Sequence, residues 1–371
     1  MGAPEGELFG KIIATWRSLA RAQFGLPDKP IIIVGHQPEF FHPGVLSKFI
    51  AGSSLASEVD GVLLHLVVDH HIGNSGVIEV PDETGEYLAT STVHVASVDT
   101  KISMKDQQRT NTQDNSAFGL ALQNAKGENL AMQFANATNA LMAPYANIDY
   151  CIAGTSLLQT DFGKALLCEM QQRPDACIAA YNNAVDAFPD CGVAYLGTNE
   201  LPLWHGKHNV KVSGDFSDLR PRALLLTLLA RVVLGDLIVH GTGGFGYDRI
   251  METWVSDWLG ISPCAMVMQT ATLHLALHAE TIDDARHAYF APPKQMIEAI
   301  QNAPYRSPER TSRFLAMHTW LEQQGAKPDI GLLQRAKQIA ARRNWAFPLY
   351  PSAQLSQLTK SITSCAGPKF S

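Results

Sequence analysis

A chain of 371 residues, 46% hydrophobic and 17% charged, is long enough for two domains or for one large α/β domain with additions. A formal charge of -6, with no Lys/Arg block, excludes the basic footprint of a nucleic-acid binder. No apolar run approaches the roughly 20 residues of a membrane span. The first residues carry no basic segment before an apolar core, and the six cysteines are scattered without a CxxC. These features predict a cytoplasmic protein with reduced thiols and without a membrane partner.

In chain order, residues 7–24 have amphipathic spacing, with Leu8, Ile12, Ile13, Trp16 and Leu19 on one side and Lys11, Arg17 and Arg21 on another. Residues 31–34 are a β-branched run between Pro30 and Gly35, as in a buried parallel strand. Pro43 suits the first turn of a helix, with His42 as its N-cap and Val45, Leu46, Phe49 and Ile50 on its apolar face. Residues 61–68 form a second apolar strand, which completes a βαβ unit with parallel strands.

Residues 76–98 alternate and break like a small antiparallel excursion, and the polar 101–127 reads as a mobile insertion with weak helix. Helical spacing returns over 128–142 and 161–172, and 191–203 is strand-like. From Pro221 a helix apolar nearly all round leads to a strand over 236–239, a glycine-rich turn over 240–246 and a helix over 247–259. Residues 265–275 look extended, and helices are expected over 281–301, 308–324, 331–344 and 352–363. The fold class is therefore α/β: a Rossmann-like parallel sheet flanked by helices, a small antiparallel insertion and a helical C-terminal region. Residues 1–75 and 151–280 supply the core, 76–150 the insertion and 281–371 the helical region.

Three apolar strands end in histidine-bearing loops: Gly35-His36, Asp69-His70-His71 and His240-Gly241. In one parallel sheet these loops open on the same edge, where α/β proteins bind ligands. His36, Asp69, His70 and His240 are then the catalytic candidates, in acid/base or anion-stabilising roles. Gln37, His42, His71, Gly241, Thr242, Gly243, Gly244 and Tyr247 are the substrate- or anion-binding candidates. Each histidine could instead cap its own loop, Tyr247 could serve packing, and Asp248 could simply favour a helix N-terminus.

Residues 241–246 match GxGxxG after a strand and before a helix, the context for a phosphate at a helix N-terminus. The acidic residue a dinucleotide site needs after the next strand is absent. An NAD(P)-dependent oxidoreductase is therefore the alternative. No HExxH or comparable spacing points to a metal, so a divalent ion ranks below an ATP/ADP-like nucleotide as cofactor. Trp204, His205, Lys207 and His208 suit either a pocket wall or an edge strand.

Gly35-His36-Gln37-Pro38 with Phe41 and Pro43-Gly44, then Asp69-His70, then His240-Gly-Thr-Gly-Gly with Tyr247, resemble in order three segments of the bacillithiol synthase family. The resemblance implies a Rossmann-like core, a nucleotide or phosphate-like anion near the glycine turn and a small polar substrate by the histidines. It also implies cysteine-ligase-like chemistry. The chain departs from the family at His36, where the family has glutamine, at Gly244-Phe245, where it has an acidic residue nearby, and in lacking its long coiled-coil arm. His42-x-Gly44 is also similar to the HxGH loop of nucleotidylyltransferases, with Val45 at the second histidine. The expected function is a ligase- or transferase-like enzyme acting on a small polar metabolite, as monomer or homo-oligomer. A non-catalytic small-molecule or metal-binding protein is the further alternative.

Overall fold

Ile31, Ile32, Ile33 and Val34 are wholly buried, which only a strand covered on both faces permits. In the computed structural model, which describes residues 2–278, 292–323 and 329–365, they form most of β3 (Ile31–His36) at the centre of a five-stranded parallel sheet. The sheet order is β12 (Ala265–Met268), β11 (Leu237–His240), β3, β4 (Val62–Val67) and β7 (Tyr150–Ala153). Register runs Val239↔Val34 and His36↔Val67, so the ends of β11, β3 and β4 are neighbours.

Period-2 alternation sorts the side chains into two layers. Ile31, Ile33, Leu64 and Leu66 join a core with α1 (Ile13–Gln23) and α7 (Ala223–Val233). Ile32, Val34 and Leu63 face α2 (Pro43–Glu58), where Gly52 permits the close approach: a Cβ there would stand 2.8 Å from Leu63. Helix α7 is buried along nearly its whole length, as its all-round apolar sequence predicts.

Several expectations need correction. The helix expected over 7–24 begins only at Ile13. Glu7–Leu8 (β1) and Lys11–Ile12 (β2) pair antiparallel about Phe9 and Gly10, both in the left-handed region (φ 52 and 74). Leu8, Ile13 and Trp16 are buried, whereas Ile12 and Leu19 are exposed. Arg17 is buried instead of solvated: it pairs with Asp236 at 2.6 Å, which Arg21 also reaches at 2.7 Å. Residues 101–127 are not a loose insertion, because Met104, Phe118 and Leu122 are buried. The Gln133 side chain bonds the backbone of Thr110 and Leu122, satisfying polar groups that the composition assigns to solvent. α3 (Ala117–Asn124) and α4 (Leu130–Met142) follow, capped by Ser116 and Asn129.

β7 is an addition to the sequence reading, as is α6 (Pro174–Asp186), which follows α5 (Asp161–Gln172). Instead of a strand over 191–203, a three-stranded antiparallel sheet forms from β8 (Glu200–His205), β9 (His208–Lys211) and β10 (Leu219–Pro221). The glycine turn is not a turn: α8 (Thr242–Leu259) starts within it. The extended stretch over 265–275 is a strand only to Met268.

Val77–Asp82 (β5) and Ala89–His94 (β6) pair as a two-stranded sheet. Helices follow at Lys294–Asn302 (α9), Pro308–Gln323 (α10), Ile330–Ala340 (α11) and Ser352–Cys365 (α12). The first part of the helix expected over 281–301 lies outside the described residues. Two compact units result. One takes residues up to Ile78, Val93–Leu273 and the chain from Asn344, including α12, which packs on α2. The other takes Glu79–Thr92 and, among the described residues, those between His274 and Arg343. Among the described residues no helix is long and apolar enough to cross a membrane.

Candidate functional site

The carboxyl ends of β3, β4 and β11 open on one crevice of about 410 Å³. Its lining includes His36, Gln37, His42, His70, His240, Gly241, Thr242, Gly243, Gly244 and Tyr247, and also Lys48 and Thr227. Asp69 and His71 do not line it.

The β3–α2 loop forms one wall. His42 caps α2, its Nδ1 accepting from the Gly44 N–H at 3.0 Å. In a neutral ring Nε2 then carries the proton and can donate. Gly44 must be glycine here, since a Cβ would lie 2.7 Å from the His42 ring and 2.8 Å from the Ala271 carbonyl. His36 packs edge-on against Phe41 at 4.9 Å. Its Nδ1 lies 3.2 Å from the Gln37 carbonyl, which can only accept, so Nδ1 holds the proton and Nε2 is left as a base. Burial, then the positive charge of Lys48, holds this imidazole well below its usual range and therefore neutral.

The β11–α8 junction forms the opposite wall. α8 begins at Thr242 with Gly241 as N-cap, and no side chain among the described residues caps it. Its first helical bond runs from the Phe245 N–H to the Gly241 carbonyl at 3.0 Å, so the N–H groups of Thr242, Gly243 and Gly244 have no helical partner. A Cβ on Gly243 would meet nothing within 4 Å, whereas one on Gly244 would come within 2.4 Å of His240 Nδ1. The His240 ring therefore lies against the first turn of α8.

Behind His240 sits Asp248, wholly buried, with Oδ2 2.9 Å from His240 Nε2 and 2.9 Å from Arg231 Nη1. Burial works to raise the Asp248 pKa, but the hydrogen bond and charge of His240, then Thr227 and Arg231, outweigh it and hold the group ionised. Arg231 is fixed further by Glu252 at 2.5 Å and by the Cys264 carbonyl. Sequence reading gave Asp248 only a dipole role and left Arg231 unassigned. The eight-residue step from His240 to Asp248 crosses a strand, a cap and two helical turns, which no linear motif announces.

The β4 loop behaves differently. Asp69 is turned inward, accepting from the Thr155 N–H at 2.9 Å and from its hydroxyl, with His70 Nδ1 3.8 Å away. Burial opposes ionisation of Asp69, and His70 and Thr155 outweigh it, so its pKa lies below the usual value. Asp69 thus anchors the loop to the segment after β7 and stands back from the crevice. His71 folds over Gly73 and joins the segment at Met104, whose N–H donates to the His71 carbonyl at 2.9 Å. His70 alone of these three reaches the crevice.

Lys48 is the functional candidate that sequence reading missed. It is 6% exposed, and its Nζ donates to the Gly35 carbonyl at 3.0 Å. Its signal was one cation inside an otherwise uncharged helical stretch, Val45 to Ile50. Among the described residues no group of three or more His, Cys, Asp or Glu side chains is arranged to hold a metal ion.

No protein-family model matches the chain, and no curated protein matches it. Solved structures with some similarity include the tryptophanyl-tRNA synthetase of Plasmodium falciparum, at 8% identity over 92% of this chain and 78% of that one, with a TM-score of 0.29. The tyrosyl-tRNA synthetase of Leishmania major, in complex with tyrosinol, is 10% identical over 91% of this chain and 42% of that one (TM-score 0.32). That of Archaeoglobus fulgidus, complexed with L-tyrosine, is 12% identical over 94% and 90% (TM-score 0.29).

Proposed function

We propose that the protein is a ligase- or transferase-like enzyme that binds a nucleotide or other phosphate-like anion at the start of α8 and acts there on a small polar metabolite. One observation carries this reading: among the described residues the crevice lining holds four histidines, Lys48 and an uncapped helix N-terminus, and no carboxylate. The whole chain is acidic at -6, so this basic lining is not inherited from composition. Of the carboxylates close behind it, Asp69 and Asp248 are bonded into the protein, and Glu39, 3.8 Å from His36 Nδ1, has its pKa raised by burial toward the neutral form. Unpaired N–H groups at a helix N-terminus favour a phosphate oxygen through both hydrogen bonds and the helix dipole.

Neutral His36 can take a proton from an incoming amine, thiol or hydroxyl at Nε2. His240, steadied by Asp248, can stabilise charge that develops on a leaving group. Joining an activated carboxyl or carbonyl carbon to a nucleophile falls within that chemistry. Cysteine-ligase activity of the bacillithiol synthase kind is a proposal within it, supported by the three resembling segments.

Calorimetry with ATP, ADP and NAD(P) tests this. ATP or ADP should bind, and Gly243→Val, whose side chain enters open space, should weaken binding at least tenfold while the protein stays folded. NAD(P) binding in place of ATP and ADP would overturn the assignment in favour of an oxidoreductase.

A further inference from the structure

Among the described residues, Lys48 is the only lysine or arginine in the crevice lining, and no aspartate or glutamate belongs to it. It makes no ion pair among the described residues, and its one hydrogen bond goes to a neutral carbonyl, Gly35 O. Its aliphatic stem passes beside the α8 N-cap: a Cβ on Gly241 would lie 3.8 Å from Lys48 Cδ. The side chain therefore runs between the two strand-end loops that form the opposite walls. A buried ammonium without an anion is costly, and substitution by an apolar side chain of similar length should relieve that cost. Nothing in the packing of α2 calls for the charge, since its neighbours Ser47 and Phe49 are satisfied by the Gly44 carbonyl and by aromatic contacts with Phe41 and His65.

We infer that Lys48 is the phosphate-binding residue of this site: its ammonium and the free N–H groups of Thr242, Gly243 and Gly244 together hold one phosphoryl group of a nucleoside diphosphate or triphosphate. This rests on the anion reading above and deepens it. The titratable groups that share the crevice with Lys48 are His36 on β3, His42 at the start of α2, His70 after β4, His240 on β11 and Tyr247 on α8, and His65 on β4 also senses its charge. Imidazoles ordinarily titrate near 6.5, His36 and His65 lie lower still, and burial pushes Tyr247 up to about 12. Burial lowers Lys48 itself to about 8. The protonated form is the one that binds, so affinity should fall as pH rises through that value.

ADP and inorganic pyrophosphate are titrated calorimetrically into wild type and Lys48→Met between pH 7 and 9.5, with thermal melts of each. For wild type, Kd should rise about tenfold per pH unit above pH 8, with proton uptake on binding. Lys48→Met should bind at least 30-fold more weakly at pH 7, with little dependence on pH and a melting temperature equal to or above wild type. Pyrophosphate binding alongside ADP locates recognition in the phosphates; ADP binding alone, unchanged in Lys48→Met, would place it in the nucleoside and sink the inference. Equal affinities for wild type and variant, or a flat wild-type pH profile, overturn the role of Lys48 and leave the anion site standing. Binding of neither compound to wild type removes both. If Lys48→Met does not fold, the wild-type pH profile and proton uptake decide alone.

Discussion

Two aspartate–histidine pairs flank the crevice, and they do different work. Asp69 and His70 are adjacent in sequence, yet the carboxylate turns to Thr155 and the imidazole stands 3.8 Å from it. His240 and Asp248 are separated by a strand end and the first turns of α8, yet they meet at 2.9 Å with Arg231 completing a buried chain. Consecutive residues leaving a strand diverge, because the backbone sends neighbouring side chains to opposite sides. Residues joined through a helix start can converge. Adjacent acid and imidazole therefore mark a loop anchor here, and the separated pair supports the crevice wall.

The largest test of that contrast is removal of each carboxylate's charge. Asp248→Asn should cost about 3–5 kcal/mol in denaturant unfolding, since it leaves Arg231 without its fully buried partner. Asp69→Asn should cost about 1–3 kcal/mol, the scale for disrupting buried hydrogen bonds to Thr155. Equal losses would break the distinction between a buried ionic chain and a loop anchor.

The common edge of the three histidine loops was legible because it needs only strand order, and apolar runs before Gly35, Asp69 and Gly241 supply the strands. The parallel pairing of β3 and β4 was legible for the same reason. What escaped notice depends on three-dimensional closure. β7 is four residues long and only partly buried, too short for a periodic signal. α6 does carry readable spacing, with Cys177, Ala180, Tyr181, Ala184 and Val185 buried on one face. Its polar surroundings hid that pattern. The polar stretch 101–127 misled because its backbone is satisfied inside the fold, by Ser116 capping α3 and by the Gln133 side chain of α4. Lys48 was hidden by its own helix, whose first turns are buried whatever their polarity.

Acid titration sharpens the comparison. Both Asp69 and Asp248 have depressed pKa values, so the stability they add is present above the ordinary carboxylate range, near pH 4, and is lost only as pH falls through their folded values. Loss that begins between pH 6.5 and about 5, above the carboxylate range, belongs to buried imidazoles. His65, 1% exposed and bonded to Asn139 at 2.8 Å, is driven by burial down to about 4. The unfolded chain then binds the proton first, so stability should decline by about 1.4 kcal/mol per pH unit below 6.5, to roughly 3 kcal/mol in all. His36 acts in the same direction. His65→Gln should remove its own share of the slope, about 1.4 kcal/mol per pH unit, in urea titrations at pH 7, 5.5 and 4.5, leaving the share of His36 and His71. Asp69→Asn and Asp248→Asn should leave the slope as it is; if Asp248→Asn flattens it, the acid response belongs to the buried Arg231–Asp248 chain and not to His65.

The smallest effects come from the glycines in front of the His240–Asp248 pair, and they separate support from binding. At Gly244 a methyl group would meet His240 Nδ1 at 2.4 Å, so Gly244→Ala should displace the ring and cost about 1–3 kcal/mol. At Gly243 the methyl group meets nothing within 4 Å, and alanine suits a helix better than glycine. Gly243→Ala should therefore shift unfolding free energy by less than about 1 kcal/mol, in the stabilising direction. It should still weaken ADP binding, because the methyl group stands where the backbone N–H groups meet the anion. Thermal melts paired with calorimetry check both. If Gly243→Ala binds ADP as wild type does while Gly244→Ala does not, the ligand is held by the His240–Asp248 pair and not by the start of α8.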